Sequence, residues 1–278
     1  MKLGYGWARG PFELADAVGA AELVRRYGEQ GRPVPGLLAA AVEAGGFHPG
    51  ADTVLGTDGT PRPRRRPEGV LTVADAERTR GVLEGNASAA LVDLGDGVAC
   101  LALRTKLNTL DAGAIGMVER ALELGTARAF RALVVGSDHP RAFSAGAQLG
   151  TFVEYLDSGD LAGLKALVQR GQQALRALRH APFPVVAAAR GLALGGGNEL
   201  MLAAQRVVAH AELHAGFPER TVGLVPAWGG IAQSLARAAE AGVADPAASA
   251  FAVTAGAEVS TSAWQAADWH LLRGEDEV

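Results

Sequence analysis

From about residue 86 onward, short apolar runs alternate with amphipathic segments, and this alternation limits the fold more than any other feature of the chain. "ASAALVDLG" and "GVACLALR" read as two strands around a Gly-Asp-Gly turn at 95–97. "AGAIGMVERALELG" reads as a helix, and "RALVVGS" as a strand buried on both faces. "LAGLKALVQRGQQALRALRHA" is a long amphipathic helix with Leu161, Leu164, Leu167, Val168, Leu175 and Leu178 on one stripe. "FPVVAAARG" is a strand, then come glycines and a further helix, then the strand "RVVAH". Strand–helix–strand alternation of this kind builds a layered α/β domain. No repeat of fixed period is visible.

Residues 1–55 follow a different grammar. "PFELADAVGAAELVRRYG" starts on Pro11 and carries apolar residues at Leu14, Ala17, Val18, Ala21 and Val24, a helical spacing. "VPGLLAAAVEAGG" is a second helix that stops on Gly45 and Gly46. Residues 56–69, "GTDGTPRPRRRPEG", have the prolines and clustered arginines of a surface linker. The expected organisation is an all-α piece over 1–55, a linker over 56–85 and an α/β domain over 86–278.

Composition excludes several functions. A net charge of −4 leaves no electrostatic footprint for nucleic acid. No apolar run approaches the ~20 residues of a membrane span, and "MKLGYGWARGPFELAD" lacks the apolar core of a signal peptide. The single cysteine, Cys100, rules out an internal disulfide and reads as a small core residue in "GVACLAL". A reducing cytoplasm fits this usage. His210 and His214 in "HAELH" stand between short strands rather than on a helix, so no metal site is expected there.

The chemistry is concentrated in two glycine turns and two carboxylates. In "RGLALGGGNELMLAAQ", Gly195 to Gly197 join a strand to a helix starting near 197. A helix start leaves backbone N–H groups without partners, and glycine lets a ligand approach them closely. The result suits a developing negative oxygen. Glu199 falls in the first helical turn, where it serves either the helix dipole or a reaction. "PRAFSAGAQLG" repeats the strand–glycine–helix context, and Gly146 bares the N–H groups of Ala147 and Gln148. Two such turns on neighbouring strands can aim one N–H each at a single carbonyl oxygen. In "HAGFPERTVGLVPAWGG", Glu219 follows Pro218 on a stiff segment, either facing a site or paired at the surface with Arg220 or Arg206.

Taken in this order and at these distances, "AFSAGAQL", "GLALGGGNE" and "FPERTVGLVPAWGG" resemble the enoyl-CoA hydratase/isomerase family, also called the crotonase superfamily, over about residues 88–270. The resemblance implies an α/β fold coiled into repeated ββα turns, a crotonase-like superhelix rather than a doubly wound sheet. It implies an acyl-CoA thioester substrate that brings its own coenzyme A, with no resident cofactor. By position, the N–H groups of Ala147 and Gly196 form the oxyanion hole, and Glu199 and Glu219 match the two glutamates of the hydratase branch. The family assigns water activation to Glu199 and proton delivery at C2 to Glu219. The residues themselves do not order the two roles. Two close carboxylates in an apolar pocket should share a proton. Ala145 lies in the same substrate-binding turn. Lys106, in "LRTKLNTLD", is the candidate contact for CoA phosphates, with a solvated lysine as the other reading. Trp228 stands where the family has a small glycine-rich turn, and either reshapes the acyl pocket or is a core aromatic. Gln148 replaces the Asp common at its position.

"GYGWARGPFELADAVG", residues 4–19, resembles the helical C-terminal domain of 3-hydroxyacyl-CoA dehydrogenases, with its GW-x-x-GPFEL-x-D-x-x-G pattern. That piece followed by a hydratase-like domain resembles bacterial fatty-acid β-oxidation fusions. A partial helical domain, no NAD-binding domain and a C-terminally truncated crotonase domain are the expectation, without dehydrogenase activity. The family's oligomers make a homo-oligomer the expected assembly, weakened by the truncation. Enoyl-CoA hydration is the expected reaction, since isomerisation can run on one glutamate. Isomerisation and an inactive acyl-CoA-binding fragment are the alternatives. Ser144 in "FSAGA" lacks the G-x-S-x-G context of a hydrolase nucleophile.

Overall fold

The computed structural model describes residues 9–50, 52–65 and 68–278. Residues 4–8 of the N-terminal motif, with its Gly6 and Trp7, and Arg66 of the arginine cluster lie outside the described residues. The chain divides into two compact units, Met1–Val70 and Leu71–Val278.

In the first unit the long helical pattern breaks in two. Helix α1 spans Pro11–Val18 and α2 spans Ala20–Glu29, because Gly19 between them takes φ +96°. Helix α3 (Gly36–Ala44) ends on Gly45 in the left-handed conformation. Ala20, Leu38, Ala41 and Phe47 form the buried centre. Asp16 ties the end of α3 back to α1 by accepting from the Phe47 and His48 N–H groups. Strands β1 (Thr53–Leu55) and β2 (Pro61–Pro63) pair antiparallel.

The expected linker over 56–85 is therefore corrected. Its first part pairs within the first unit, and its second part belongs to the second unit. Helix α4 (Val73–Arg80) is capped by the Thr72 side chain, which accepts from the Asp75 N–H. The carboxylate of Asp138 accepts from the Val73 and Ala74 N–H groups. Strand β3 (Val82–Gly85) then pairs with β4 (Ala89–Gly95).

Strand β5 (Val98–Leu103) returns antiparallel to β4 through Asp96 and Gly97. Side chains alternate across a strand with period two. On β4 and β5 this sends Ala89, Leu91, Ala99 and Leu101 into the main core, and Ala90, Val92, Cys100 and Ala102 against Ala76 of α4. Both faces are covered, which is why these strands read as continuous apolar runs.

Helix α5 (Ala112–Thr126), capped by Asp111, leads into three turns of one pattern. Strands β6 (Ala132–Val135) and β7 (Ala142–Ser144) precede helices α6 (Leu149–Ser158) and α7 (Leu161–Arg179). Strands β8 (Val185–Ala189) and β9 (Leu192–Leu194) precede α8 (Gly196–Ala203). Strands β10 (Arg206–Ala209) and β11 (His214–Gly216) precede α9 (Gly230–Glu240). In each turn the first strand joins a six-stranded sheet, ordered β10-β8-β6-β5-β4-β3, and the second joins a three-stranded parallel sheet, ordered β11-β9-β7. The chain is thus a ββα superhelix. Helices α10 (Pro246–Gly256) and α11 (Ala263–Asp268) follow.

The stripe on α7 is not buried along its whole length. Leu175 and Leu178 enter the core, whereas Leu161 is 64% exposed, and Leu164 and Val168 face a cavity. No helix among the described residues is long and apolar enough to cross a membrane.

Candidate active site

Strands β7 and β9 are parallel neighbours, with Ala142 opposite Leu192 and Ser144 opposite Ala193. Their C-terminal turns therefore emerge side by side. Gly146 has φ +91°, and a Cβ there would lie 2.6 Å from the Leu194 carbonyl oxygen and 3.3 Å from the Gly196 nitrogen. A Cβ on Gly196 would lie 3.2 Å from the Ala147 nitrogen. The N–H groups of Ala147 and Gly196 are thus close neighbours, and among the described residues neither has a hydrogen-bond partner. Unpaired main-chain donors are rare, and two side by side form a receptor for one anionic oxygen.

The remaining glycines are dictated by close packing. Gly195 has φ +53°, and a Cβ on it would lie 2.9 Å from Oε1 of Glu219. A Cβ on Gly197 would lie 2.3 Å from the Ser144 carbonyl oxygen. The helix can start this close to β7 and to a carboxylate only without side chains.

Glu199, in the first turn of α8, is 4% exposed. Its Oε1 accepts from the Trp228 N–H and from the Gly230 N–H, each at 2.7 Å. Its Oε2 has no protein partner among the described residues. Burial pushes the carboxyl up to about 7, the nearby Glu219 adds to the rise, and the two backbone hydrogen bonds oppose it. Glu219 sits on the 3-10 turn Pro218–Val222. Its Oε2 is buried without a hydrogen-bond partner. Burial pushes this carboxyl up to about 7 as well, against a contrary pull from its own backbone N–H. Among the described residues it forms no ion pair with Arg220 or Arg206, and Arg206 pairs instead with Glu275. The two carboxylates face one cavity and can hold one proton between them.

That cavity has a volume of about 570 Å³. Lys106, Ala145, Ala147, Gly196, Glu199, Glu219 and Trp228 all line it, so the structure gathers every site residue expected from the sequence. Trp228 fits both readings left open by the sequence. It is buried, it lines the cavity, and its ring lies on Gly171 of α7, where a Cβ would stand 2.3 Å from Nε1. Lys106 is exposed at the cavity's edge, while nearby Arg104 is paired with Glu77 at 2.8 Å. Gln148 also lines the cavity.

The apolar wall was not assigned from sequence. Phe152 of α6, Leu164 and Val168 of α7, and Leu224 and Val225 line it. The apolar stripe of α7 was the available signal, but a stripe facing a cavity has the same period as one facing a core. His210 and His214 make local structural contacts. Nδ1 of His210 accepts from the Glu212 N–H, and Nδ1 of His214 lies 2.9 Å from the Ser260 carbonyl oxygen. Among the described residues no cluster of three metal-ligating side chains exists.

Paired main-chain donors beside the buried Glu199 and the half-buried Glu219, carried on ββα turns, define a crotonase-type protein. The chain belongs to the enoyl-CoA hydratase/isomerase family, whose model matches residues 94–258. It is 31% identical over 285 residues to a probable 3-hydroxyacyl-CoA dehydrogenase of Bacillus subtilis, covering 100% of this chain and 36% of that protein. It is 38% identical over 129 residues to the fatty acid oxidation complex subunit alpha of Vibrio campbellii, covering 45% of this chain and 18% of that one. Among solved structures, an enoyl-CoA hydratase from Polaromonas sp. JS666 superposes with a TM-score of 0.58 at 25% identity, over 68% of this chain and 70% of that one. The chain thus spans about a third of the length of the Bacillus protein.

Proposed function

We propose that this chain hydrates the C2=C3 double bond of an enoyl-CoA thioester, as a step of fatty-acid β-oxidation in the cytoplasm. The observation that carries the reading is the convergence of Glu199, Glu219 and the two unpaired N–H groups on one apolar cavity. Hydration needs a polarised carbonyl, a deprotonated water at C3 and a proton at C2. Isomerisation does not need the second carboxylate.

In this reading the Ala147 and Gly196 N–H groups donate to the thioester oxygen as enolate charge builds on it. Each donor contributes about 3 kcal/mol in comparable sites. Glu199 is held by two backbone donors on Oε1, which favours its ionised form and aims Oε2 at the water. Glu219 has an unpartnered Oε2 and carries the shared proton. The water oxygen bonds to C3 while one of its protons passes to Glu199. The C2=C3 electron pair moves into the enolate, and Glu219 then gives its proton to C2. Proton exchange between the two carboxyls restores the starting state. No resident cofactor takes part, because coenzyme A enters and leaves with the acyl group. Lys106 at the cavity edge supplies positive charge for its phosphates. The helical first unit and the name of the Bacillus relative support the further reading that the chain works within a fusion with a 3-hydroxyacyl-CoA dehydrogenase.

The test is the loss of enoyl-thioester absorbance of crotonyl-CoA, followed for the wild type, Glu199→Gln and Glu219→Gln. Turnover that falls by about 100-fold or more in both variants supports the reading. A folded wild type without turnover, or a Glu219→Gln variant with full activity, overturns it.

A further inference from the structure

Asn108 and its neighbour Leu107 stand out as consecutive non-glycine residues in the left-handed region, with φ +55° and +54°. Such backbone is uncommon outside glycine, and least expected for leucine. Asn108 is also 2% exposed, an unusual place for a polar side chain. Both features have one explanation. The Nδ2 group donates to the carbonyl oxygens of Ala142 and Phe143, at 2.9 and 3.1 Å, and to Oγ of Ser137, at 2.7 Å. The turned backbone sends the Asn108 carbonyl to meet the Ser144 hydroxyl, which donates to it at 2.7 Å. Ser144 Oγ in turn accepts from the Gly146 N–H at 3.2 Å. The Leu107 carbonyl accepts from the Ala145 N–H at 3.0 Å. Two further backbone bonds, Leu110 N–H to the Gly146 oxygen and Gln148 N–H to the Leu110 oxygen, complete the strap.

These bonds fix residues 142–148 on both sides of Ala147 and leave the Ala147 N–H itself unused. We propose that Asn108, with Ser144 as its relay, is the positioning residue that sets where the Ala147 N–H points. The inference rests on the reading of that N–H as a donor to the substrate carbonyl. Asn108 lies behind the turn and touches no reacting atom. Asparagine suits the position twice over: it tolerates left-handed backbone, and its amide donates to carbonyls that a carboxylate would repel.

The test uses two variants that cut the strap at different links. Asn108→Gly keeps the backbone's freedom to turn and removes the donor. Ser144→Ala removes the relay and keeps Asn108. Each is compared with the wild type for hydration of crotonyl-CoA and for the absorbance of a bound cinnamoyl-CoA thioester, whose band moves to the red as its carbonyl is polarised. A displaced donor lowers kcat about 10- to 100-fold while KM stays within about threefold, as expected when an interaction made chiefly in the transition state is lost. The red shift shrinks in the same variants although the probe still binds. A full red shift and wild-type kcat in either folded variant overturn the proposal, as does a loss confined to KM. A wild type that shifts the probe but hydrates nothing sinks the hydratase reading, and the variants' smaller shift then still supports the positioning role. A wild type that binds the probe without any red shift overturns the positioning role.

Discussion

Replacing Glu199 with glutamine should make the protein inactive and, at alkaline pH, more stable. Glutamine keeps the shape of the side chain, and its oxygen can accept from the Trp228 and Gly230 N–H groups as Oε1 does now. What it removes is the buried charge. A carboxyl held at about 7, against an ordinary 4.5, resists ionisation in the folded state. At about 1.4 kcal/mol per tenfold change, this resistance costs folding about 3 kcal/mol once the pH is above 7. The sign follows from the raised value. Below about pH 4.5 both folded and unfolded chains hold the proton and nothing is lost. Between 4.5 and 7 the unfolded chain ionises first, and stability falls as pH rises. Above 7 the full cost is present. Glutamine behaves as the protonated acid at every pH, so its advantage over wild type should be near zero at pH 4.5 and approach about 3 kcal/mol at pH 8.

Thermal unfolding of the second unit, followed by circular dichroism at both pH values, measures this. For a unit of this size about 2–4 °C accompanies each kcal/mol, so the variant's midpoint should rise by several degrees at pH 8 and coincide with wild type near pH 4.5. A variant no more stable than wild type at pH 8 would refute the reasoning. An advantage of equal size at both pH values would refute it too, because it would not come from charge.

Three further outcomes are expected. Gly146→Ala places a Cβ 2.6 Å from the Leu194 oxygen on left-handed backbone; it should cost about 1–3 kcal/mol and lower kcat at least tenfold, read by denaturant titration and by crotonyl-CoA turnover. Trp228→Ala should open the cavity beneath Gly196 and move the kcat/KM optimum toward longer acyl chains, at a stability cost of about 3–5 kcal/mol; an unchanged chain-length profile in a folded variant would show that the ring does not bound the acyl site. Cys100 is 2% exposed and burial pushes its thiol up to about 12; it should resist a thiol reagent at pH 8 in the native protein and react promptly once urea unfolds the chain.

The residues that gather at the candidate site were legible because their constraints are local. Three adjacent glycines ahead of a carboxylate leave few explanations, and Gly195, Gly196 and Gly197 each prove to meet an atom that a side chain would strike. The strands were legible because period-two burial on both faces leaves unbroken apolar runs such as "VACLAL". What failed depended on distant partners. Helix α4 fully buries only Ala76, has Val73 half-buried beside it, and is polar from Glu77 to Arg80, so its periodicity is weak and the stretch reads as linker. Its capping signal, Thr72 followed by Asp75, was present, but the carboxylate that completes the cap comes from Asp138. The single helix drawn through residues 11–28 broke at Gly19 because helical spacing tolerates one glycine on paper, and only the backbone turn to φ +96° shows the break.

Asn108 marks the limit of sequence reasoning most sharply. As a polar residue in "TKLNTLD" it has the ordinary look of a loop asparagine, and nothing nearby in sequence hints that it is buried. Its partners lie 29 to 36 positions away, at Ser137 and on the strand whose turn it restrains. Glu199 was conspicuous for the opposite reason: a charge among Leu200, Met201 and Leu202 violates the local pattern. The folded protein tolerates both exceptions in the same place. It keeps a carboxylate that burial makes costly to ionise, and it holds Leu107 and Asn108 on backbone that most residues avoid. Neither feature helps the unit fold. On the proposed reading each gains a rationale when a thioester oxygen lies against the Ala147 and Gly196 N–H groups, because strain and buried charge would then fix the donors and the base before substrate arrives.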